Sequence, residues 1–233
     1  MTTPELPADE LPWIDTEQMR EVDRIMIEDL HIELMQMMEN AGRSLARLAL
    51  DRFSPQRVAV CAGPGGNGGG GLVAARHLAN SGVGVEVALG AAVERFTPVP
   101  AHQLDIVRRM GIPVVERPVA PDLWIDAVLG YSLRGDPREP AATLIRAMGD
   151  SPAPVLSLDT PSGLDTTTGR EAEPAVRATA TMTLAAPKSG LRRSSLVGEL
   201  FVADISVPPS VYDRLGVGAP PLGPGVIGRV TGF

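Results

Sequence analysis

Aromatic residues are scarce in this chain, at 3%. A single-strand nucleic-acid binder needs exposed rings on which bases stack, so the scarcity argues against that class. A basic surplus is missing too. The formal net charge is −7, which leaves nothing to neutralise a phosphate backbone. Nucleic acid is therefore not expected as a partner. Cysteine is limited to Cys61, which rules out an internal disulfide or a Cys-based metal site. Cys61 lies in an apolar run and reads as a small buried hydrophobe. No apolar run approaches the ~18 residues of a membrane span. The opening "MTTPELPADELPWIDTEQ" is acidic and lacks the basic-then-apolar pattern of a signal peptide. No membrane partner is expected, and the cytoplasm is the default location. With rings scarce, the core must be built from Ala, Val, Leu, Ile and Met. Hydrophobic content of 44% and charged content of 21% suit a soluble globular protein. The 233 residues suffice for one large α/β domain or two small ones.

Residues 1–14 read as a loose, polar, Pro-rich arm. "DTEQMREVDRIMIEDL" (15–30) opens like a capping box, with Asp15 or Thr16 as cap and Gln18 in the first turn. Met19, Val22, Ile25, Met26 and Ile27 form its apolar stripe. A second helix is predicted over 32–53, with Leu34, Met37, Met38, Ala41, Leu45 and Leu48 on one side. From residue 57 the pattern changes. Strand-like runs at 57–63, 83–90, 112–117, 122–130, 153–159, 178–186 and 198–206 alternate, in the first two-thirds, with helical stretches at 72–82, 97–111 and 139–149. That alternation predicts a parallel, doubly wound sheet with helices on both faces. Residues 15–215 make one domain, and the Gly/Pro-rich 216–233 reads as a weakly structured tail.

The most unusual stretch is "GPGGNGGGG" (63–71), seven glycines in nine residues. It follows a strand and opens a helix, where glycine lets backbone N–H groups approach an anion. Gly63, Gly65 and Gly68 fit the G-x-G-x-x-G spacing, a weak signal in so glycine-rich a segment. Glu86 lies near the place of a ribose-binding acid, but inside its strand. Two further segments carry an acid at the end of an apolar strand: Asp126 in "WIDAVLG" and Asp159 in "LSLDTPSG". Ligands of open α/β sheets bind beyond the carboxyl ends of strands, where strand order reverses. Asn67, Asp126, Asp159 and Ser162 are expected to converge there. Asn67, Asp126 and Ser162 offer oxygens and one charge, which suits a monovalent cation. Asp159 is then free for proton transfer. Alternatively, both acids cap turns by bonding nearby backbone.

"VCAGPGGNGGGGLVAARHLANSGVGVEVAL", "WIDAVLGYSLRGDPREP", "LSLDTPSGLDTTTG" and "TLAAPKSGL", in this order, resemble the NAD(P)H-hydrate epimerase family, the YjeF N-terminal domain family. "MENAGRSLARL" and "GELFVADISVPPSVYDRL" are similar as well. The resemblance implies a Rossmann-like three-layer α/β/α fold, with a mostly parallel doubly wound sheet and two leading helices, often dimeric. It implies an isomerase that interconverts the R and S forms of hydrated NADH and NADPH. A separate ADP- or ATP-dependent dehydratase would act on the same substrate. Asn67, Asp126 and Ser162 match potassium-ligand positions, and Asp159 matches a substrate-contacting acid thought to transfer a proton. Gly66, Asn67, Gly68, Gly69 and Gly70 match a substrate loop. Gly130, Tyr131, Ser132, Leu133, Arg134, Gly135 and Asp136 match a second. The family loop usually reads G-N-N-G-G-D-G, so Gly66 stands for an Asn and Gly70 for an Asp. The glycine excess is expected to loosen the loop. A non-catalytic ligand-binding or scaffold protein of the same fold is the alternative those two glycines favour.

Overall fold

A computed structural model of the chain describes residues 3–131, 133 and 135–233. Its centre is an eight-stranded sheet: β1 (Glu5–Pro7), β2 (Arg57–Ala62), β3 (Gly84–Leu89), β4 (Leu123–Ala127), β5 (Val155–Leu158), β6 (Ala180–Leu184), β7 (Glu199–Ala203) and β8 (Ile227–Thr231). The order is β1-β8-β7-β6-β5-β4-β2-β3, and only the β7–β8 pair is antiparallel. Six helices accompany it: α1 (Thr16–Arg24), α2 (Leu34–Phe53), α3 (Gly66–Asn80), α4 (Pro98–Arg109), α5 (Ala141–Asp150) and α6 (Pro209–Arg214).

Strand residues alternate between two buried faces. Val58, Val60 and Ala62 of β2 pack with Leu45 of α2, Leu72 of α3 and Leu104 of α4. Ala59 and Cys61 point the other way, onto Leu144, Ile145 and Met148 of α5. A strand covered on both faces reads as a continuous apolar run, which "RVAVCA" is. The three-layer Rossmann-like arrangement follows. Among the described residues, no helix is long and apolar enough to cross a membrane.

α1 starts as its sequence foretold. Asp15 accepts the Gln18 N–H at 2.8 Å, and the Gln18 side chain accepts the Asp15 N–H at 3.0 Å. The expected helix 15–30 is met over residues 16–29, with a change of pitch. It widens into a π turn at Ile25–Asp29 and stops. The wider turn shifts the facing of the stripe, so Met19, Val22, Ile25 and Met26 are buried while Ile27 is exposed. These leading residues pack on Ala185, Ala186, Ile205 and Val207 beyond β6 and β7.

Three expectations need correction. Residues 112–117 make no strand: Pro113 O and Val115 N–H bond Val87, and the chain then leaves the edge, because Pro113 and Pro118 lack the N–H a ladder needs. The arm and the tail are not loose. Glu5–Pro7 and Ile227–Thr231 pair with each other and extend the sheet beyond β7. Gly228 permits this, since a Cβ there would stand 2.3 Å from Leu6 Cδ1. Glycine and proline content hid a short strand pair with a buried Leu6 and Val230.

Candidate active site

β2 pairs with β3 on one side and β4 on the other, so strand order reverses between β2 and β4. A cavity of about 430 Å³ lies at this point, under α1 and α2 and at the start of α3. Gly66, Asn67, Gly70, Gly130, Tyr131 and Asp159 line it. Asp126 and Ser162 lie beneath, fully buried.

From Gly66 onward the glycine segment is helix rather than loop. α3 begins at Gly66, six residues before the predicted start, and Gly68 to Gly71 are buried in its first turns. Each makes room for a different neighbour. A Cβ on Gly68 would stand 1.8 Å from Gly63 O, and one on Gly69 would stand 2.5 Å from Met38 Sδ of α2. On Gly70 it would meet Leu158 Cδ2 at 2.8 Å, and on Gly71 Ala127 Cβ at 2.5 Å. The glycines thus lock the helix against strand ends and α2, and the expected looseness is overturned. Close approach from all sides outweighs glycine's poor helix propensity. Gly66 differs, since a Cβ there meets only Met38 Cε at 3.8 Å. Gly68 and Gly69 serve packing and lie outside the cavity lining.

The three oxygen-bearing residues are wired together. Asp126 sits in β4 opposite Cys61 and Ser157. Its carboxylate accepts the Ser157 hydroxyl at 2.8 Å, the Ser162 N–H at 2.8 Å, the Val128 N–H at 3.3 Å and the Ser162 hydroxyl. Burial pushes the Asp126 carboxyl up, and these bonds pull against the rise. Ser162 Oγ accepts the Leu129 N–H at 2.9 Å and lies 3.3 Å from Leu129 O. Asn67 donates its amide to that same Leu129 O at 3.0 Å and to Leu158 O at 2.9 Å. Carbonyl, hydroxyl and carboxylate oxygens and the Asn67 amide therefore gather at the α3 N-terminus. Among the described residues, no three His, Cys, Asp or Glu cluster as a metal site.

Asp159 leaves β5 in the left-handed region, φ 66, a conformation aspartate tolerates better than most residues. Its Oδ1 accepts the Leu184 N–H at 3.2 Å, the Thr183 hydroxyl at 3.3 Å and the Lys188 ammonium. Its Oδ2 has no partner among the described residues. Lys188 is fully buried and donates also to Leu184 O at 2.8 Å and Thr183 Oγ1 at 3.2 Å. A second acid enters from α1: Asp23 lines the same cavity, and its Oδ2 accepts the Tyr131 hydroxyl. Burial pushes the Asp23 carboxyl up, while Tyr131 and the Lys188 charge draw it back.

Of the second predicted loop, Gly130 and Tyr131 reach the cavity. Asp136 is exposed and accepts the Glu173 N–H at 3.4 Å. Leu133 and Gly135 lie outside the cavity lining, and Ser132 and Arg134 lie outside the described residues. Glu86 accepts the Val119 N–H at 2.9 Å, a loop-fastening role. Cys61 is buried, and burial raises its thiol pKa.

The model of the YjeF-related protein N-terminus matches residues 34–190. The chain belongs to this family. An NAD(P)H-hydrate epimerase of Dehalogenimonas lykanthroporepellens is 44% identical over 208 residues, covering 85% of this chain and 84% of the relative. A bifunctional NAD(P)H-hydrate repair enzyme of Salinibacter ruber is 37% identical over 228 residues, covering 87% of this chain but 42% of the relative. A yeast protein of known crystal structure aligns over 94% of this chain and all of its own, with TM-score 0.83 and 24% identity. That last likeness concerns the fold alone.

The YjeF-related fold thus brings together Asn67, Asp126, Asp159 and Ser162, which sequence reasoning singled out. It adds Asp23 and Lys188, which that reasoning missed. Both had a signal. Asp23 is an acid beside Val22 and four residues after Met19, on the apolar side of an amphipathic helix. Lys188 is the chain's sole lysine, the other twenty basic residues being arginine.

Proposed function

We propose that this protein is an NAD(P)H-hydrate epimerase, inverting the hydroxyl-bearing carbon of hydrated NADH and NADPH. The observation that carries the reading is Asp159. One of its oxygens is fastened by Lys188, Leu184 and Thr183, and the other is left for a ligand in a cavity that opens at a helix N-terminus. A general acid–base needs such reach and such fixing. The free N–H groups of α3 suit the substrate's phosphates. The Dehalogenimonas relative, an NAD(P)H-hydrate epimerase of similar length, supports the same activity. The bifunctional relatives are more than twice as long as their matched part, which supports a separate ADP- or ATP-dependent dehydratase as functional partner. Exposed Leu30 and Met35 on the leading segments support a homodimer.

A potassium ion fits the residues present. Asn67, Asp126 and Ser162 would hold it, with a half-turn of the Asn67 amide to present its oxygen. Oxygen donors with a single carboxylate match a monovalent cation better than a divalent one. When bound, the ion supplies a fixed positive charge beside the phosphate-bearing substrate. The protein's own groups do the rest: α3 orients the nucleotide, and Asp159 moves the proton. Replacing Asp159 by Asn is expected to lower the conversion rate of either epimer by about 100-fold or more. An Asp159→Asn protein that converts as fast as the wild type overturns the assignment.

A further inference from the structure

Inverting a carbinol carbon beside a ring nitrogen through a dehydrated intermediate takes departure on one face and return on the other. The hydroxyl accepts a proton and leaves as water while the nitrogen lone pair forms a C=N⁺ bond. Water then adds to the opposite face and gives up a proton. Atoms and charge balance, and no oxidant or reductant is needed. A flat intermediate between two faces is served by two proton-transfer groups, one per face.

The cavity holds two carboxylates built alike. Asp159, after β5, has Oδ1 anchored and Oδ2 without a partner among the described residues. Asp23, on α1, has Oδ2 anchored by the Tyr131 hydroxyl and Oδ1 without a partner among the described residues. They come from unrelated elements and line one space. Their anchors differ in charge: a buried ammonium for Asp159, a neutral phenol for Asp23. Different environments are how two acids in one site take opposite roles. Burial raises the Asp23 carboxyl, which favours its protonated form.

We propose that Asp23 is the second catalytic residue, transferring the proton on the face of the substrate ring that Asp159 does not serve, with Tyr131 as its positioning residue. This rests on the epimerase reading above.

The test uses each purified epimer of hydrated NADH in H₂¹⁸O, with wild type, Asp23→Asn and Asp159→Asn. Inversion and label in the hydroxyl are both followed by chromatography with mass detection, less the spontaneous background. Either variant is expected to lose inversion by about 100-fold or more. Each is also expected to keep exchanging label with retention in one epimer, and the epimer differs between the two variants. The remaining carboxylate still removes and returns water on its own face. Tyr131→Phe, which keeps both acids, is expected to lower kcat severalfold with KM little changed. It stands in if Asp23→Asn does not fold. Inversion by Asp23→Asn within threefold of wild type overturns the proposal alone. So does loss of both inversion and label exchange in a folded Asp23→Asn protein, which assigns Asp23 a structural role. An unchanged kcat in Tyr131→Phe also counts against it. No conversion by the wild type overturns the epimerase reading and this proposal with it.

Discussion

At the residue scale the decisive pair is Lys188 and Asp159. Both are buried, and each satisfies the other's charge. Removing one partner of a buried pair strands a charge, at a cost of about 3–5 kcal/mol, whereas removing both with apolar replacements can be nearly neutral. Lys188→Met is therefore expected to lower unfolding free energy by about 3–5 kcal/mol, and Lys188→Met with Asp159→Leu to recover much of it. Urea denaturation measures this, and a single variant as stable as wild type contradicts the pairing. Asp159 was legible in the sequence because an acid ended an apolar strand and entered a turn. Lys188 and Asp23 carried a weaker signal, a sole lysine and an acid on an apolar helix face, and nothing local announces that a loop after β6 and a leading helix reach the same cavity. Asp126 does what the turn-capping reading of the sequence allowed, and the cation role is proposed for the same carboxylate. It fastens the turns after β4 and β5 through Val128 and Ser162, and it lies in the oxygen cluster that would hold a cation.

At the element scale α3 explains the glycines. Five of its six positions before Leu72 are glycine and would each be a better helix former as alanine, except that a Cβ on four of them would stand under 3 Å from a neighbour. Gly68→Ala is expected to destabilise by about 1–3 kcal/mol or more through overpacking, because its Cβ would stand 1.8 Å from Gly63 O. Gly66→Ala, in open space, is expected to stay within about 0.5 kcal/mol of wild type. Thermal unfolding of the two variants separates packing glycines from a merely flexible run, and equal effects contradict the packing account. Local propensity placed the helix start at residue 72, and tertiary contact moved it to Gly66. The strand pattern fared better: β3-β2-β4-β5 neighbour one another as alternation and the switch-point rule required. At 112–117 proline won over β-branched residues.

At the scale of the whole molecule, the sheet is closed at one end by the two chain termini. β1 and β8 were illegible because each is short and rich in proline or glycine, and their pairing partner lies at the far end of the chain. Deleting residues 1–7 removes buried Leu6, worth about 1.5–3 kcal/mol, and uncovers the β8 edge. Hydrogen exchange is expected to accelerate in β8 and to stay unchanged in β2, β4 and β5, with epimerase activity retained. Unchanged exchange in β8 contradicts the terminal pairing.

The proposed epimerase inverts hydrated nicotinamide nucleotides in the crevice at the ends of β2, β4 and β5. The most direct measurement is a chromatographic time course from one isolated epimer of hydrated NADH, with wild-type protein in potassium and in a potassium-free buffer. Conversion is expected well above the buffer background, faster in potassium, and ending at the same epimer ratio from either side. Conversion by the wild type no faster than buffer would contradict the proposed activity.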